Sequence, residues 1–366
     1  MGASEADAVR QWEPKSDTVA KQFFRQLVET PRPSGYEQSA QEHVRRYAAD
    51  WADQITTDVH GNVVCCRRGT GAGRLMLAGH CDQIGMLVSH IDDNGFLYFQ
   101  PIGGWDSQQL IGQHVTVWGN SGAVAGVIAR KPIHLLRPEE RDKAPKLEDL
   151  WVDIGAKDRA EAEQCVRIGD PITLYLELRP LRNELLCGPG MDNASGVWVV
   201  LEALRRVKSP LCWSVFAVST VQEEIGLRGA QTSAFGVDPQ VAIAVDVTHA
   251  TDSPGMDKNS LGRIRVGAGP VIFRGPNMNP RVVDRLLDCC RQADIPFQLA
   301  ASGRAMPNDA NPLQVTRAGV ATGLVSIPNR YMHSAVEIVS WRDLDAAAEL
   351  LARFAESLAE GDSFIP

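Results

Sequence analysis

The sequence predicts an α/β protein with a mostly parallel central sheet, helices on both faces and an inserted β-rich domain. Two observations carry this. After Leu181 apolar strands alternate with helical patterns, as in a sheet covered by helices. Between Gly85 and Leu181 the chain instead reads as short strands joined by tight turns, as at Asp93-Asn94-Gly95 and Gly119-Asn120-Ser121-Gly122. The length of 366 residues, set against roughly 150 residues per domain, accommodates two domains. The simplest arrangement is one discontinuous α/β domain, residues 1–82 and 179–366, interrupted by a β-rich domain at 83–178.

The elements follow in order. Over residues 16–30, Val19, Phe23, Leu27 and Val28 recur at helical spacing, and Pro31 ends the run. Ser34 and Glu37 form a predicted capping box for a second helix, whose buried stripe is Tyr36, Ala40, Val44, Ala48, Trp51 and Ile55. Strands at 62–67 and 74–78 flank a glycine-rich turn. Inside the β block, strands are expected at 86–91, 96–100, 114–118 and 123–130, and the charge-dense stretch 138–148 reads as a solvated loop. The alternation then gives a helix at 194–206, a strand at 213–221, a helix after Arg228 and a strand at 241–245. It continues with a helix at 280–293, a short strand near Phe297, a helix around Leu313, a strand at 322–327 and a final helix at 340–358.

Composition narrows the function. Lys and Arg number 37 against 45 Asp and Glu, a net charge of −8, which provides no basic footprint for nucleic acid. No apolar run reaches the roughly 18 residues of a membrane span, and the polar segment 1–14 carries no secretory signal. The eight cysteines show no Cys-x-x-Cys spacing and sit mainly in apolar runs, as small buried hydrophobes do. A cytoplasmic enzyme is expected.

Ligands bind at the carboxyl ends of strands in open α/β sheets, and five places there carry ionisable residues. His80 and Asp82 follow the strand ending at Ala78. Asp192 lies in Gly188-Pro189-Gly190-Met191-Asp192-Asn193, Glu223 and Glu224 follow Val221, Asp246 ends its strand, and His333 follows the strand ending at Ile327. Singly, an Asp before a helix caps it and a His is usually structural. Together, two His and several carboxylates at one sheet edge suit a divalent metal and exclude a thiolate site. Adjacent Glu223 and Glu224 cannot both point one way, so one can bind metal while the other handles a proton. There is no His-Glu-x-x-His helix, Gly-x-Ser-x-Gly elbow or phosphate-binding glycine loop. Ser334 beside His333 lacks an oxyanion turn, and the remaining histidines are read as structural or exposed.

These residues resemble the cytosolic dinuclear metallo-aminopeptidases that include tetrahedral aminopeptidase and glutamyl aminopeptidase, some of which have been labelled endoglucanases. The matching blocks are His80-Cys81-Asp82-Gln83-Ile84-Gly85, Pro101-Ile102-Gly103-Gly104-Trp105-Asp106, Met191-Asp192-Asn193, Val221-Gln222-Glu223-Glu224-Ile225-Gly226-Leu227-Arg228-Gly229-Ala230, Asp246-Val247-Thr248 and Arg330-Tyr331-Met332-His333-Ser334. The resemblance implies two divalent ions per subunit, Zn2+ or Co2+, bridged by Asp192. His80 and Asp246 would complete one site, and Glu224 and His333 the other. Glu223 would be the general base and Asp82 would hold His80. It further implies cleavage of N-terminal residues from short peptides, a dimerisation role for residues 83–178, and a homo-oligomer that in relatives is often a tetrahedral dodecamer. Three departures from the family pattern, Gln83, Ala194-Ser195 and Asn308, bear on substrate preference and metal affinity. A deacylase or dipeptidase-like amidohydrolase is the alternative with the same ligands. A glucanase needs an isolated carboxylate pair, and a non-catalytic scaffold has no use for Glu223.

Overall fold

The computed structural model describes residues 13–366 apart from Ser121, and leaves out the side chains of Glu140 and Leu261. Most of the polar segment 1–14 and the centre of the predicted turn at 119–122 therefore lie outside the described residues.

Helices α1 (Thr18–Glu29) and α2 (Gln38–Ala48) lead into strands β1 (Gln54–Thr57), β2 (Val63–Arg67) and β3 (Arg74–His80). Strands β4 (Gly85–Ile91), β5 (Leu97–Ile102), β6 (His114–Gly119), β7 (Gly122–Ala129), β8 (Trp151–Asp153) and β9 (Pro171–Leu174) follow, with short helices α3 (Ser107–Leu110), α4 (Pro138–Arg141) and α5 (Arg159–Cys165) between them. These six strands close into a barrel. The barrel has its own core of Met86, Val88, Leu97, Val117, Val152 and Ile172, separate from that of the main sheet.

The chain then resumes the α/β pattern with β10 (Arg179–Pro180), β11 (Leu185–Gly188), α6 (Met191–Arg206), β12 (Ser214–Thr220), α7 (Arg228–Val237) and β13 (Val241–His249). Next come α8 (Lys258–Leu261), β14 (Val271–Arg274), α9 (Pro280–Gln292), β15 (Gln298–Ala301), α10 (Ala310–Gln314), β16 (Ala321–Asn329), β17 (Glu337–Ser340) and α11 (Trp341–Glu356). The main sheet has eight strands in the order β1-β2-β12-β3-β13-β16-β14-β15. Its centre, β12-β3-β13-β16, is parallel, while β1, β2 and β14 join antiparallel to their inner neighbours. The sheet is thus mixed, with the predicted parallel character confined mainly to its middle. Helix α6 packs on β3, β12 and β13 and is covered by α11, while α7 and α10 pack on central strands and on each other.

Four sequence expectations are corrected. Ile55 belongs to β1, not to the stripe of the second helix, which ends at Ala48. Strands β1, β14 and β17 escape the alternation pattern because each has only four residues, and β1 is largely exposed. The strand carrying Asp246 continues to His249, so Asp246 lies within it, paired in register with Ser326. The Ser34–Glu37 capping box does not form: Glu37 precedes α2 without any side-chain cap bond, because both side chains are drawn elsewhere.

Among the described residues no helix is long and apolar enough to cross a membrane. All eight cysteines are free, five of them buried.

Candidate metal centre

The parallel register brings the carboxyl ends of β3, β12 and β13 together, because His80 pairs with Thr220 at the last position of both strands. His80 therefore faces the turn that leaves β12 with Glu223 and Glu224. From the other side comes the start of α6, where Asp192 has extended backbone angles and a cis peptide bond to Asn193. Asn193, not Asp192, caps the regular helix: its Oδ1 accepts from the Gly196 N–H at 2.7 Å and its Nδ2 donates to the Val245 carbonyl at 2.8 Å. The Asp192 carboxylate is left free to face the site.

Its two oxygens meet two different imidazoles. Oδ1 lies 3.1 Å from His80 Nε2, and Oδ2 lies 3.2 Å from His333 Nε2. Around His80 Nε2 stand Asp246 Oδ1 at 3.6 Å and Glu223 Oε2 at 3.9 Å, while Glu224 Oε1 is 3.4 Å from His333 Nε2. Two donor sets result, His80–Glu223–Asp246 and Asp192–Glu224–His333, each with its ligand atoms within 4.8 Å of one another. The two adjacent glutamates do turn to different partners.

Each histidine ring is oriented from behind. His80 Nδ1 lies 3.1 Å from the Asp82 carbonyl and 3.6 Å from the Asp82 carboxylate. His333 Nδ1 lies 3.1 Å from the carbonyl of Gly104, in the loop after β5 of the barrel. Either contact fixes the tautomer that leaves Nε2 facing the carboxylates. The Asp82 carboxylate itself is occupied by donors: Ser34 Oγ at 2.6 Å, the Glu223 N–H at 3.0 Å and the Glu224 N–H at 3.1 Å. This explains why Ser34 does not cap α2.

The electrostatics suit a cation. Burial pushes the Glu223 carboxyl up to about 10; His80 opposes this, while Asp246, Asp309 and Glu224 add to it. Burial likewise lifts Glu224 and Asp309 to about 7 and raises Asp246. Burial alone would depress both imidazoles, but the surrounding carboxylates outweigh it, raising His80 well above its ordinary value and His333 to about 11. Asp192 is held well below the usual carboxylate range, because His333 and His80 outweigh its burial. Asp192 Oδ1 and Glu224 Oε1 are buried without a hydrogen-bond donor. Buried acceptors without donors are costly, and imidazole nitrogens with carboxylate oxygens are the donor set of zinc, cobalt or manganese. The residues fit a divalent metal.

Several residues at the site carry no motif that marks them. Glu337 is buried and its Oε2 accepts from the Asp192 N–H at 2.9 Å and from Asn329 Nδ2 at 2.8 Å. Arg32, fully buried, donates to the carbonyls of Cys81 at 2.8 Å and Gly190 at 2.5 Å, tying the His80 loop to the Asp192 loop. Of the three departures, Gln83 is buried and its Oε1 crowds Gly190, where an added Cβ would come within 2.0 Å of it. Ala194 and Ser195 are buried in the first turn of α6, and Asn308 Oδ1 accepts from the Ala310 N–H at 3.2 Å.

A carboxylate–imidazole centre at the carboxyl edge of an α/β sheet suits metal-assisted hydrolysis. Residues 61–350 match the model of the M42 glutamyl aminopeptidase family, and the chain belongs to that family of peptide-bond hydrolases. The lysyl aminopeptidase of Pyrococcus furiosus is 36% identical over 347 residues, covering 93% of this chain and 98% of that protein. Among solved structures, the TET aminopeptidase of a marine-sediment Thaumarchaeota archaeon superposes with a TM-score of 0.89 at 35% identity, covering 93% of this chain and 97% of the other. The TET1 peptidase of Pyrococcus horikoshii, which can assemble into a tetrahedron or a large octahedral shell, gives 0.82 at 30% identity, covering 93% and 100%.

Proposed function

We propose that the protein is a dinuclear metal-dependent aminopeptidase that releases N-terminal residues from short peptides. The observation that supports this best is the placement of Asp192, whose two carboxylate oxygens address His80 and His333 separately at 3.1 and 3.2 Å. Asp192 would bridge two ions, with His80 and Asp246 completing one site and Glu224 and His333 the other. Zn2+ or Co2+ suits this donor set. Bound there, the ions supply Lewis acidity, which polarises a scissile carbonyl and makes water a nucleophile near neutral pH.

The chain's own residues do the remaining work. Glu223 stands farther from His80 Nε2 than either Asp192 or Asp246 does, which favours a proton-handling role over a ligand role. Its carboxylate takes a proton from the attacking water and returns it to the leaving amine nitrogen, so that the peptide C–N bond breaks as a free amine departs. Asp82 holds His80 by its carbonyl and the Glu223–Glu224 backbone by its carboxylate. Residues 83–178 serve as a dimerisation domain, and the subunits build a homo-oligomer of the tetrahedral kind in the cytoplasm.

The test is a panel of aminoacyl anilides, each beside its N-acetylated counterpart, assayed with chelator and after zinc or cobalt is restored. Metal-restored cleavage of the free-amine substrates alone is expected, with turnover abolished in Glu223→Gln while metal remains bound. Release of acetate from the N-acetylated series with the anilide left intact would assign a deacylase instead, and full activity of Glu223→Gln would remove Glu223 as base.

A further inference from the structure

The first half of the turn that carries Glu223 and Glu224 is held by side chains from other segments. The turn leaves β12 after Thr220, and α7 begins only at Arg228; within it the Gly226 and Leu227 N–H groups both bond to the Glu223 carbonyl at 2.9 Å, whereas the amides of residues 221–224 turn to side chains. Gln222 and Leu227 both take left-handed angles, with φ of 56° and 58°. Such a conformation persists in non-glycine residues when the surroundings hold it there. Here four consecutive N–H groups are accepted by side-chain oxygens reaching in from other segments. Val221 N–H donates to Asn62 Oδ1 at 3.0 Å, Gln222 N–H to Glu37 Oε1 at 3.1 Å, Glu223 N–H to Asp82 Oδ1 at 3.0 Å, and Glu224 N–H to Asp82 Oδ2 at 3.1 Å. On the far side, His60 Nε2 faces Gln222 Oε1 at 3.3 Å.

Of these acceptors Glu37 serves two segments at once. It stands at the start of α2, where a carboxylate ordinarily serves its own helix, yet it makes no cap bond to α2. Instead it is buried, and the same Oε1 receives the Gly35 N–H at 2.7 Å and the Gln222 N–H. That oxygen fixes the distance between the loop before α2 and the residue preceding Glu223.

We infer that Glu37 is a positioning residue for this reaction: with Asp82 it clamps three consecutive amides, so that Glu223 and Glu224 face His80 and His333 separately. The inference rests on the reading of Glu223 as base. Glu37 touches neither substrate nor metal; it acts through the Gln222 backbone. Because the contact needs only an acceptor oxygen at the right reach, a neutral amide of equal length fulfils it and a shorter carboxylate does not.

The experiment compares Glu37→Gln and Glu37→Asp at saturating metal, with Glu223→Gln in parallel. Glu37→Asp is expected to lower kcat by about tenfold or more with KM and bound metal unchanged, as displacement of a catalytic group does. Glu37→Gln keeps the hydrogen bond and is expected to stay within about threefold of wild type. A role through charge would reverse that order, and a role only in holding α2 would shift Tm without separating kcat from KM; either result overturns the proposal. Amide hydrogen exchange over residues 221–227 gives a reading independent of turnover: exchange should be faster in Glu37→Asp than in Glu37→Gln, and equal protection overturns the clamp. An active Glu223→Gln variant would overturn the base reading and leave exchange to decide the clamp. An inactive Glu223→Gln variant with wild-type kcat in Glu37→Asp would overturn the clamp alone.

Discussion

Asp192 owes its freedom to its neighbour. Had the aspartate capped α6, as a residue in that position ordinarily does, its oxygens would have been spent on backbone amides; Asn193 does the capping, and Glu337 takes the Asp192 N–H. The carboxylate is therefore held from behind and open in front. Asp192→Asn is expected to lose at least one equivalent of bound metal per subunit, because an amide offers one oxygen where two are needed. Metal analysis after gel filtration checks this, and unchanged stoichiometry would contradict the bridge. The residues proposed for the metal and the base were legible in the sequence because carboxylates and imidazoles at strand ends are conspicuous. Glu337 and Arg32 were not, since each reaches the site through a backbone group of a distant segment and spells no local pattern, while Glu37 spelled a capping box for its own helix that does not form. Still less visible was the Gly104 carbonyl, for every residue has one.

At the scale of elements, the alternation of strands and helices was readable wherever strands were long and buried. Strands β3, β12, β13 and β16 each have at least seven residues and are almost wholly buried. The shorter β14 and β17 offer too few residues to show a period, and the exposed β1 has little apolar contrast to reveal one. The close approach of β3 to α6 has a requirement of its own. A Cβ at Gly79 would lie 2.5 Å from the carbonyl carbon of Gly196 and 2.8 Å from the Val197 nitrogen, both backbone atoms that no rotamer change can move. Gly79→Ala is expected to cost about 1–3 kcal/mol by overpacking, seen as a lower urea midpoint, and to reduce metal affinity because His80 is the next residue. An unchanged midpoint would mean that strand and helix separate freely.

For the molecule as a whole, the buried carboxylates set a pH dependence. Burial lifts Glu37, Glu224, Asp309 and Asp343 to about 7 and Glu337 to about 8, from ordinary values of 3.8 for Asp and 4.5 for Glu. Asp343 is raised even though it accepts from the Gly267 and Gly269 N–H groups at 2.7 Å each. A group whose pKa is raised on folding contributes stability that is complete below its unfolded value and is lost as the pH climbs through the folded one. For this set the window runs from about 4 to about 8. Chelator-treated protein should therefore melt lower at about pH 8 than at about pH 5. Divalent metal should reverse the trend, since it binds the deprotonated ligands. Calorimetry with and without metal decides, and a metal-free Tm that rises over this range would contradict the assignment.

The ring of His333 leans on a carbonyl supplied by the barrel loop, whereas the ring of His80 leans on its own strand's continuation. The two halves of the centre thus have unequal foundations. One half stands within the sheet; the other is shared property, complete only while barrel and sheet keep their mutual seat. Deleting the insertion is therefore expected to free the His333 ring while leaving the ring of His80 held from behind.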